Sequence, residues 1–121
     1  MENFRRFEAV DPYSRSWQVE FRWQQNAISI RHSDSIDVKY QLIQEEDVSE
    51  KVIALQHPDL LTLSKKAGRA LTDAWILKLA AMHIKEMIET DRDMEKTLVT
   101  ARLEDLERYN EKLSAPAPVR R

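Results

Sequence analysis

The chain has 121 residues, a formal net charge of −2, one glycine and no cysteine. This length suits a single domain with a core of its own, and the lack of cysteine excludes disulfides, thiolate catalysis and cysteine-ligated metals. The small net charge shows no excess of basic residues of the kind typical of nucleic-acid binders. No apolar stretch is long enough to span a membrane, and the charged first residues do not form a signal peptide. We therefore expect a cytoplasmic protein without membrane contact.

Residues 1–15 are predicted to form an N-terminal arm. Phe4, Phe7 and Val10 follow one another at helical spacing, and the Asp-Pro pair at 11–12 indicates a turn after them. This pattern predicts either a short helix that docks on the sheet or an arm that reaches a partner.

Residues 16–43 are predicted to form a three-stranded antiparallel meander, because apolar and polar residues alternate with the period of a half-buried strand. The residues expected on its buried face are Trp17, Val19, Phe21 and Trp23 in the first strand, Ile28, Ile30 and His32 in the second, and Ile36, Val38, Tyr40 and Leu42 in the third.

Two loops connect these strands in a consistent register. A two-residue loop at 25–26 aligns the first two strands with their apolar side chains on one face. A three-residue loop at 33–35 pairs His32 with Ile36, whereas a two-residue loop would turn the third strand inside out. The opposite face then has mixed charges and no exposed aromatic residue, so we expect it to be solvated and a poor platform for nucleic-acid bases.

Beyond the meander the chain is predicted to be mostly helical, because it has a single glycine, Gly68. Residues 51–55 are a short apolar run and an optional fourth strand. Pro58 suits the first turn of a helix, and Gly68 suits the left-handed position after its last turn. Thr72 suits the N-cap of a second helix over 73–89.

A third helical stretch is predicted after the second helix. Met94 and Leu98 belong to its narrow apolar stripe, and a break is expected near Thr100. The stripe continues with Leu103, Leu106 and Leu113.

The predicted fold class is α+β. One domain covers residues 1–113, in which the three-stranded or four-stranded meander packs on two to three helices within 58–113. Two prolines in the segment 114–121 indicate a disordered tail.

Few residues have the chemistry needed for catalysis or metal binding. The run from His32 to Ser35 contains the residue types of a hydrolase, but neighbours in a tight loop cannot form a catalytic triad. His83 is predicted to be a hydrogen-bonded, partly buried residue, and the acidic segment 86–95 lacks the glycine and ligand spacing of a calcium loop. We therefore predict no catalytic, cofactor-binding or metal-binding residue and no enzymatic activity.

Residues 51–90 combine a short predicted strand, a helix with Lys65 and Lys66 in its last turn, and a second helix that begins after Thr72. This arrangement resembles a ribbon-helix-helix DNA-binding unit, the kind found in bacterial repressors and antitoxins. The resemblance implies that two chains pair their strands in the major groove and that the second helix starts near the phosphate backbone. A DNA-binding transcriptional regulator or antitoxin is thus the alternative function. The DNA contacts it implies are Lys51, Lys65, Lys66, Arg69 and Thr72.

The helix over 73–89 is apolar round most of its circumference and is predicted to be buried on more than one side. One side covers the meander, and the other is covered either by the chain's own segments or by a partner. We therefore predict a small non-enzymatic interaction or regulatory module, either a homodimer or a protein that docks on another protein. The residues expected at the interface are Ile76, Leu79, Ala80, His83 and Met87.

Overall fold

The computed structural model describes residues 3–27 and 34–114, which form five strands and three helices. The strands are β1 (Arg6–Val10), β2 (Ser16–Ala27), β3 (Ser35–Gln44), β4 (Asp47–Gln56) and β5 (Leu98–Ala101), and the helices are α1 (His57–Ala67), α2 (Asp73–Thr90) and α3 (Leu103–Ser114). The α+β class is confirmed, but the meander prediction is too narrow, since the five strands form one sheet in the order β1-β2-β3-β4-β5. The sheet is mixed, because β4 and β5 are parallel and the other neighbours are antiparallel. The predicted strand at 28–32 and tail residues 115–121 lie outside the described residues.

β1 replaces the helix or arm predicted at the N-terminus. It pairs with β2 antiparallel, and Phe7 lies opposite Val19. Phe7 and Ala9 pack in the core whereas Val10 is exposed. The helix prediction is wrong because the alternation of a strand, and not the helical spacing of three apolar residues, determines which side chains are buried.

β2 continues through the predicted two-residue loop at 25–26 and ends at Ala27. Val19 of β2 pairs with Leu42 of β3 on one edge and with Phe7 of β1 on the other. The predicted loop and register are therefore wrong, because both edges of β2 at this position are occupied. The predicted alternation in β3 is confirmed, since its buried residues are Ile36, Val38, Tyr40 and Leu42.

A β-bulge in β2 turns Trp23 to the face opposite the one predicted. Phe21 pairs with Tyr40 and Trp23 with Lys39, so β2 has one extra residue, Arg22, between the two pairs. An extra residue shifts the alternation of side chains by one position. Trp23 is therefore 36% exposed, and the ammonium group of Lys39 lies 5.6 Å from its ring centre. The expectation of a face without exposed aromatic residues is wrong.

β4 confirms the optional strand at 51–55 and extends it in both directions. β5 replaces the first part of the predicted third helix, because Val99 and Ala101 are buried whereas Leu98 and Thr100 are exposed. Its parallel pairing with β4 satisfies the backbone groups on that side of the strand. Parallel neighbours need a long connection, and α1 and α2 provide it.

The helices α1 and α2 begin and end close to the predicted residues. Pro58 lies in the first turn of α1, and Gly68 follows that helix with a φ of 63°, in the left-handed region that favours glycine. Thr72 caps α2, and its hydroxyl oxygen accepts a hydrogen bond from the backbone N–H of Trp75 at 3.2 Å.

α2 is the centre of a helical layer that covers one face of the sheet. Ten of its 18 residues are buried, and it contacts β1, β4 and α3, so burial on more than one side is confirmed. The hydroxyl of Tyr40 in β3 donates a hydrogen bond to the carbonyl oxygen of Leu77 at 3.2 Å. Among the described elements, none covers the opposite side of the sheet, which we call the outer face.

Candidate functional site

The five residues predicted at a partner interface lie in the core of the chain itself. The second side of α2, for which the sequence allowed either a partner or the chain's own segments, is covered by α3 and β1. A partner cannot touch these side chains without displacing the chain's own elements. These five side chains are therefore not a docking surface in this fold. The five residues, each at most 2% exposed, are Ile76, Leu79, Ala80, His83 and Met87.

The segment predicted as a DNA-reading ribbon lies inside the sheet. β4 pairs with β3 on one edge and with β5 on the other, so it cannot pair with the same strand of a second chain in this fold. Lys51 is buried, and its ammonium group donates hydrogen bonds to the carbonyl oxygens of Met94, at 2.7 Å, and Lys96. Burial and these bonds remove Lys51 from the surface that DNA could reach.

The other four predicted DNA contacts lie around the turn between α1 and α2. The Lys66 ammonium is 3.3 Å from a carboxylate oxygen of Glu107. The Arg69 guanidinium lies over the ring of Trp75, 4.6 Å from its centre. Thr72 is the N-cap of α2, and Lys65 is exposed in the last turn of α1. The structure keeps these four residues at one turn, whereas Lys51 is buried in β4.

A polar cluster joins α2 to α3. The Tyr109 hydroxyl donates a hydrogen bond to Glu86, and its oxygen lies 2.8 Å from Nδ1 of His83. Because the hydroxyl proton is used by the carboxylate, the oxygen accepts from Nδ1–H, and Nε2 is the unprotonated ring nitrogen. Nε2 is buried without a hydrogen-bond partner in the described part of the chain. Arg108 donates to both carboxylate oxygens of Glu86 at 2.6 Å.

Asp105 and Arg92 complete this cluster. Asp105 accepts hydrogen bonds from Arg108 at 3.1 Å and from Arg92 at 3.2 Å. Burial opposes the ionisation of Asp105, but the bonds to these arginines outweigh it and hold the carboxyl pKa below its usual range. Burial likewise opposes ionisation of Glu86, and hydrogen bonds from Tyr109 and Arg108 lower its pKa. Both carboxylates are therefore ionised at neutral pH.

The cluster does not present an acid or a base to a substrate. Burial lowers the pKa of His83, although nearby carboxylates act in the opposite direction. Burial also raises the pKa of Tyr109, and the hydrogen bond to Glu86 adds to this effect. His83 is fully buried, and a general base has to come within hydrogen-bond reach of its substrate. In this structure the cluster ties two helices together.

Residue types of a hydrolase also meet in a small cavity at one end of the sheet. Asp34, Ser35 and His57 line this cavity, which has a volume of about 150 Å³. Ser35 begins β3, so the predicted loop over 33–35 is wrong at this residue, while residues 32–33 lie outside the described residues. The Ser35 hydroxyl donates to Asp37 at 2.9 Å, and the bond between His57 and Asp34 joins backbone atoms. Among these residues no described hydrogen bond links a nucleophile to a base, as a triad requires.

Most of the exposed large apolar side chains in the described part of the chain lie on the outer face of the sheet. Six large apolar residues in the described part of the chain are exposed. Four of them lie on the outer face, and they are Val10, Trp23, Val48 and Leu98. One row of paired residues crosses the sheet through Trp23, Lys39, Val52 and Leu98. We call these four residues the outer row, and Leu98 at its end is 60% exposed.

Ion pairs lie beside the outer row. Lys39, in the row, is 3.0 Å from a carboxylate oxygen of Glu50. Arg6 of β1 is 3.7 Å from Glu20 of β2. These partly exposed pairs contribute little to stability, but they give the outer face charges of both signs.

Sequence reasoning missed the outer row, although the sequence contains a signal for one end of it. The run 97–101 is made of threonine and small or aliphatic residues, a composition that suits a short strand, and that assignment would have placed Leu98 on an exposed side. Trp23 had no comparable signal, because a bulge depends on how two strands pair.

Comparison of the chain with protein-family models, curated proteins and solved structures finds no match. No helix within the described residues is long and apolar enough to cross a membrane. Within the described ranges 3–27 and 34–114, no group of three histidine or acidic side chains is arranged to hold a metal ion.

Proposed function

We propose that the chain is a small non-enzymatic interaction module that self-associates through the outer face of its sheet. The observation that supports this most is the uneven cover of the sheet, with helices on one face and exposed apolar side chains on the other. Single exposed apolar residues are ordinary in monomers, whereas a continuous patch is typical of a partner surface. Trp23, Val52 and Leu98 form such a patch, and the methylene groups of Lys39 connect it.

A second copy of the chain is the partner that the charge pattern favours. A two-fold axis brings a surface patch onto its own image. A patch with nearly equal numbers of basic and acidic side chains can then pair opposite charges with its own image. A partner with a strong charge of one sign would instead meet repulsive groups as often as attractive ones. The basic residues of this face are Arg6, Lys39 and Arg22, which donates to Gln41 of the same face, and the acidic residues are Glu8, Glu20, Asp37 and Glu50.

The outer face is large enough for a modest interface. Five strands about 4.8 Å apart, each about eight residues long at about 3.3 Å per residue, cover an area of about 24 by 26 Å. A standard interface buries about 800 Å² of accessible surface on each partner. The accessible surface of a corrugated sheet exceeds its projected area of about 600 Å², so we expect a reversible dimer that forms with increasing concentration.

Light scattering after size exclusion, over about a hundredfold range of concentration, tests this proposal. We expect the mass to rise from 14.3 kDa toward twice that value. Leu98→Glu places a charge in the outer row and is expected to keep the chain monomeric. Leu61→Glu is the matched control, because Leu61 is 46% exposed but belongs to α1 in the helical layer. A monomer at every concentration, or the same loss in both variants, contradicts the proposal.

A further inference from the structure

Two cavities flank Phe4 along the exposed side of α2. The first, about 470 Å³, lies between the N-terminal segment and the start of α2, and Phe21 and Leu77 line it. The second, about 280 Å³, lies where α2 meets the end of α3, and Met82 and Leu113 line it. Phe4 lines both cavities, so the two adjoin at this side chain, and we treat them together as one groove. We call it the α2 groove.

The chain's own packing builds the α2 groove. The side-chain oxygen of Asn3 accepts hydrogen bonds from the backbone N–H groups of Arg5 and Arg6, at 2.9 and 3.0 Å. These bonds order the segment that contains Phe4, and Phe4 packs against the core together with Met82. The apolar floor is therefore present before any partner arrives, which lowers the entropic cost of binding.

The rim of the α2 groove is cationic. Among the residues that line it, a single carboxylate, Asp73, opposes four cations. The chain as a whole has a net charge of −2, so this local excess has the opposite sign to the whole molecule. The cations are Arg5, Lys78, Lys112 and Lys85, of which Lys85 lies 3.9 Å from a carboxylate oxygen of Glu89.

Two of these cations lie over aromatic rings of the groove. The Arg5 guanidinium is 5.1 Å from the ring centre of Phe21, and the Lys78 ammonium is 5.5 Å from that of Phe4. In the described part of the chain, neither cation forms an ion pair with a carboxylate. Both charges are therefore available to a carboxylate that enters beside the apolar floor.

We propose that the α2 groove binds an acidic amphipathic helix of a protein partner. The α2 residues that line the two cavities are roughly eight positions apart, or about 12 Å at 1.5 Å per residue. This distance is close to two helical turns, so a helix lying along α2 can place one apolar side chain in each cavity and acidic side chains along the rim. This surface lies in the helical layer, and its use is independent of self-association through the outer face.

The distribution of charge favours a peptide over a fatty acid. A fatty acid has one carboxylate at one end, whereas the α2 groove has cations beside both cavities. Several carboxylates spaced along a helix satisfy this arrangement, and charge complementarity of this kind mainly sets specificity and association rate.

Fluorescence anisotropy with a labelled peptide of about 16 residues tests the proposal. The peptide has leucine at positions i, i+3 and i+7, glutamate only at the positions that face the cationic rim, and alanine at the others, so that like charges do not destabilise the helix. We expect saturable binding that weakens with added salt. Lys78→Glu is expected to weaken binding by about tenfold, whereas Lys65→Glu, with the same change of charge on α1 outside the groove, is expected to change it by less than about twofold. Circular dichroism checks that both variants are folded.

The proposal is overturned if the peptide shows no saturable binding, if a peptide with the same composition in scrambled order binds equally, or if Lys78→Glu and Lys65→Glu lose equal binding. Binding of dodecanoate without binding of the peptide identifies a fatty-acid site and also overturns it. Light scattering separates this result from self-association, because Lys78→Glu leaves the outer face unchanged and Leu98→Glu leaves the α2 groove unchanged.

Discussion

Replacing Tyr109 with phenylalanine removes one hydroxyl group from the polar cluster and keeps the ring. That hydroxyl donates to Glu86 and accepts from His83. Without it, Nδ1–H of His83 becomes a buried donor with no partner. A change of tautomer does not help, because Nε2 also lacks a partner in the described part of the chain. Glu86 retains its hydrogen bonds from Arg108.

The expected loss follows from the donor that is left unsatisfied. A buried polar group without a partner costs about 1–3 kcal/mol. The lost hydrogen bond to Glu86 adds less to the loss of stability, because Arg108 still neutralises that carboxylate. The phenylalanine ring fills the space of the tyrosine ring and leaves almost no cavity. We therefore expect the free energy of unfolding of Tyr109→Phe to fall by about 2 kcal/mol.

Urea unfolding at pH 7.5, followed by circular dichroism, measures this loss, and the slope with urea should stay unchanged. Tyr13→Phe is the matched control, because the Tyr13 hydroxyl also donates to a carboxylate, that of Asp91 at 3.2 Å, but at an exposed position. We expect this control to lose less than about 0.5 kcal/mol. If Tyr109→Phe loses no more than Tyr13→Phe, the reasoning about the buried donor is refuted.

Two further predictions concern pH and the β-bulge. Because the folded chain holds the pKa of His83 below 6.5, the unfolded chain binds more protons below that pH. The free energy of unfolding should therefore fall as pH falls below 6.5, and fall further as Glu86 and Asp105, whose pKa values folding lowers, take up protons. Urea titrations at pH 7.5 and 5.5 check this, and equal stabilities would contradict it. The free energy of unfolding of Trp75→Ala should fall by about 3–5 kcal/mol because Trp75 is buried. That of Trp23→Ala should fall by less than about 1 kcal/mol, because the bulge turns Trp23 to the outer face. Equal losses of the two variants in urea unfolding would contradict this placement of Trp23.

The elements that were predicted correctly have signals within their own segments. Pro58, Gly68 and Thr72 mark the ends of α1 and α2, and each acts through its own backbone geometry or cap. The strict alternation of β3 predicts its buried face because the other face is partly exposed. In these segments local chemistry and the overall fold agree.

The elements that were predicted wrongly depend on partners far away in the chain. β5 pairs with β4, more than 40 residues earlier, and nothing in its four residues identifies that partner. The bulge at Arg22 exists only in the pairing of β2 with β3. The cover of α2 likewise comes from α3 and β1, at the two ends of the chain. Residues 73–89 taken alone therefore indicate a surface on α2, whereas four of the six exposed large apolar residues in the described part of the chain lie on the outer face.

Fluorine NMR of the protein labelled with 5-fluorotryptophan tests self-association through the outer face most directly. The chain has three tryptophans: Trp23 lies in the outer row, Trp75 is buried in the core, and Trp17 is half-buried. The spectrum of Trp23→Phe lacks the Trp23 resonance and so assigns it. We expect the Trp23 resonance to shift or broaden as the protein concentration rises, while the Trp75 resonance stays constant. A Trp23 resonance that does not change with concentration, or equal changes at all three tryptophans, would contradict the proposed surface.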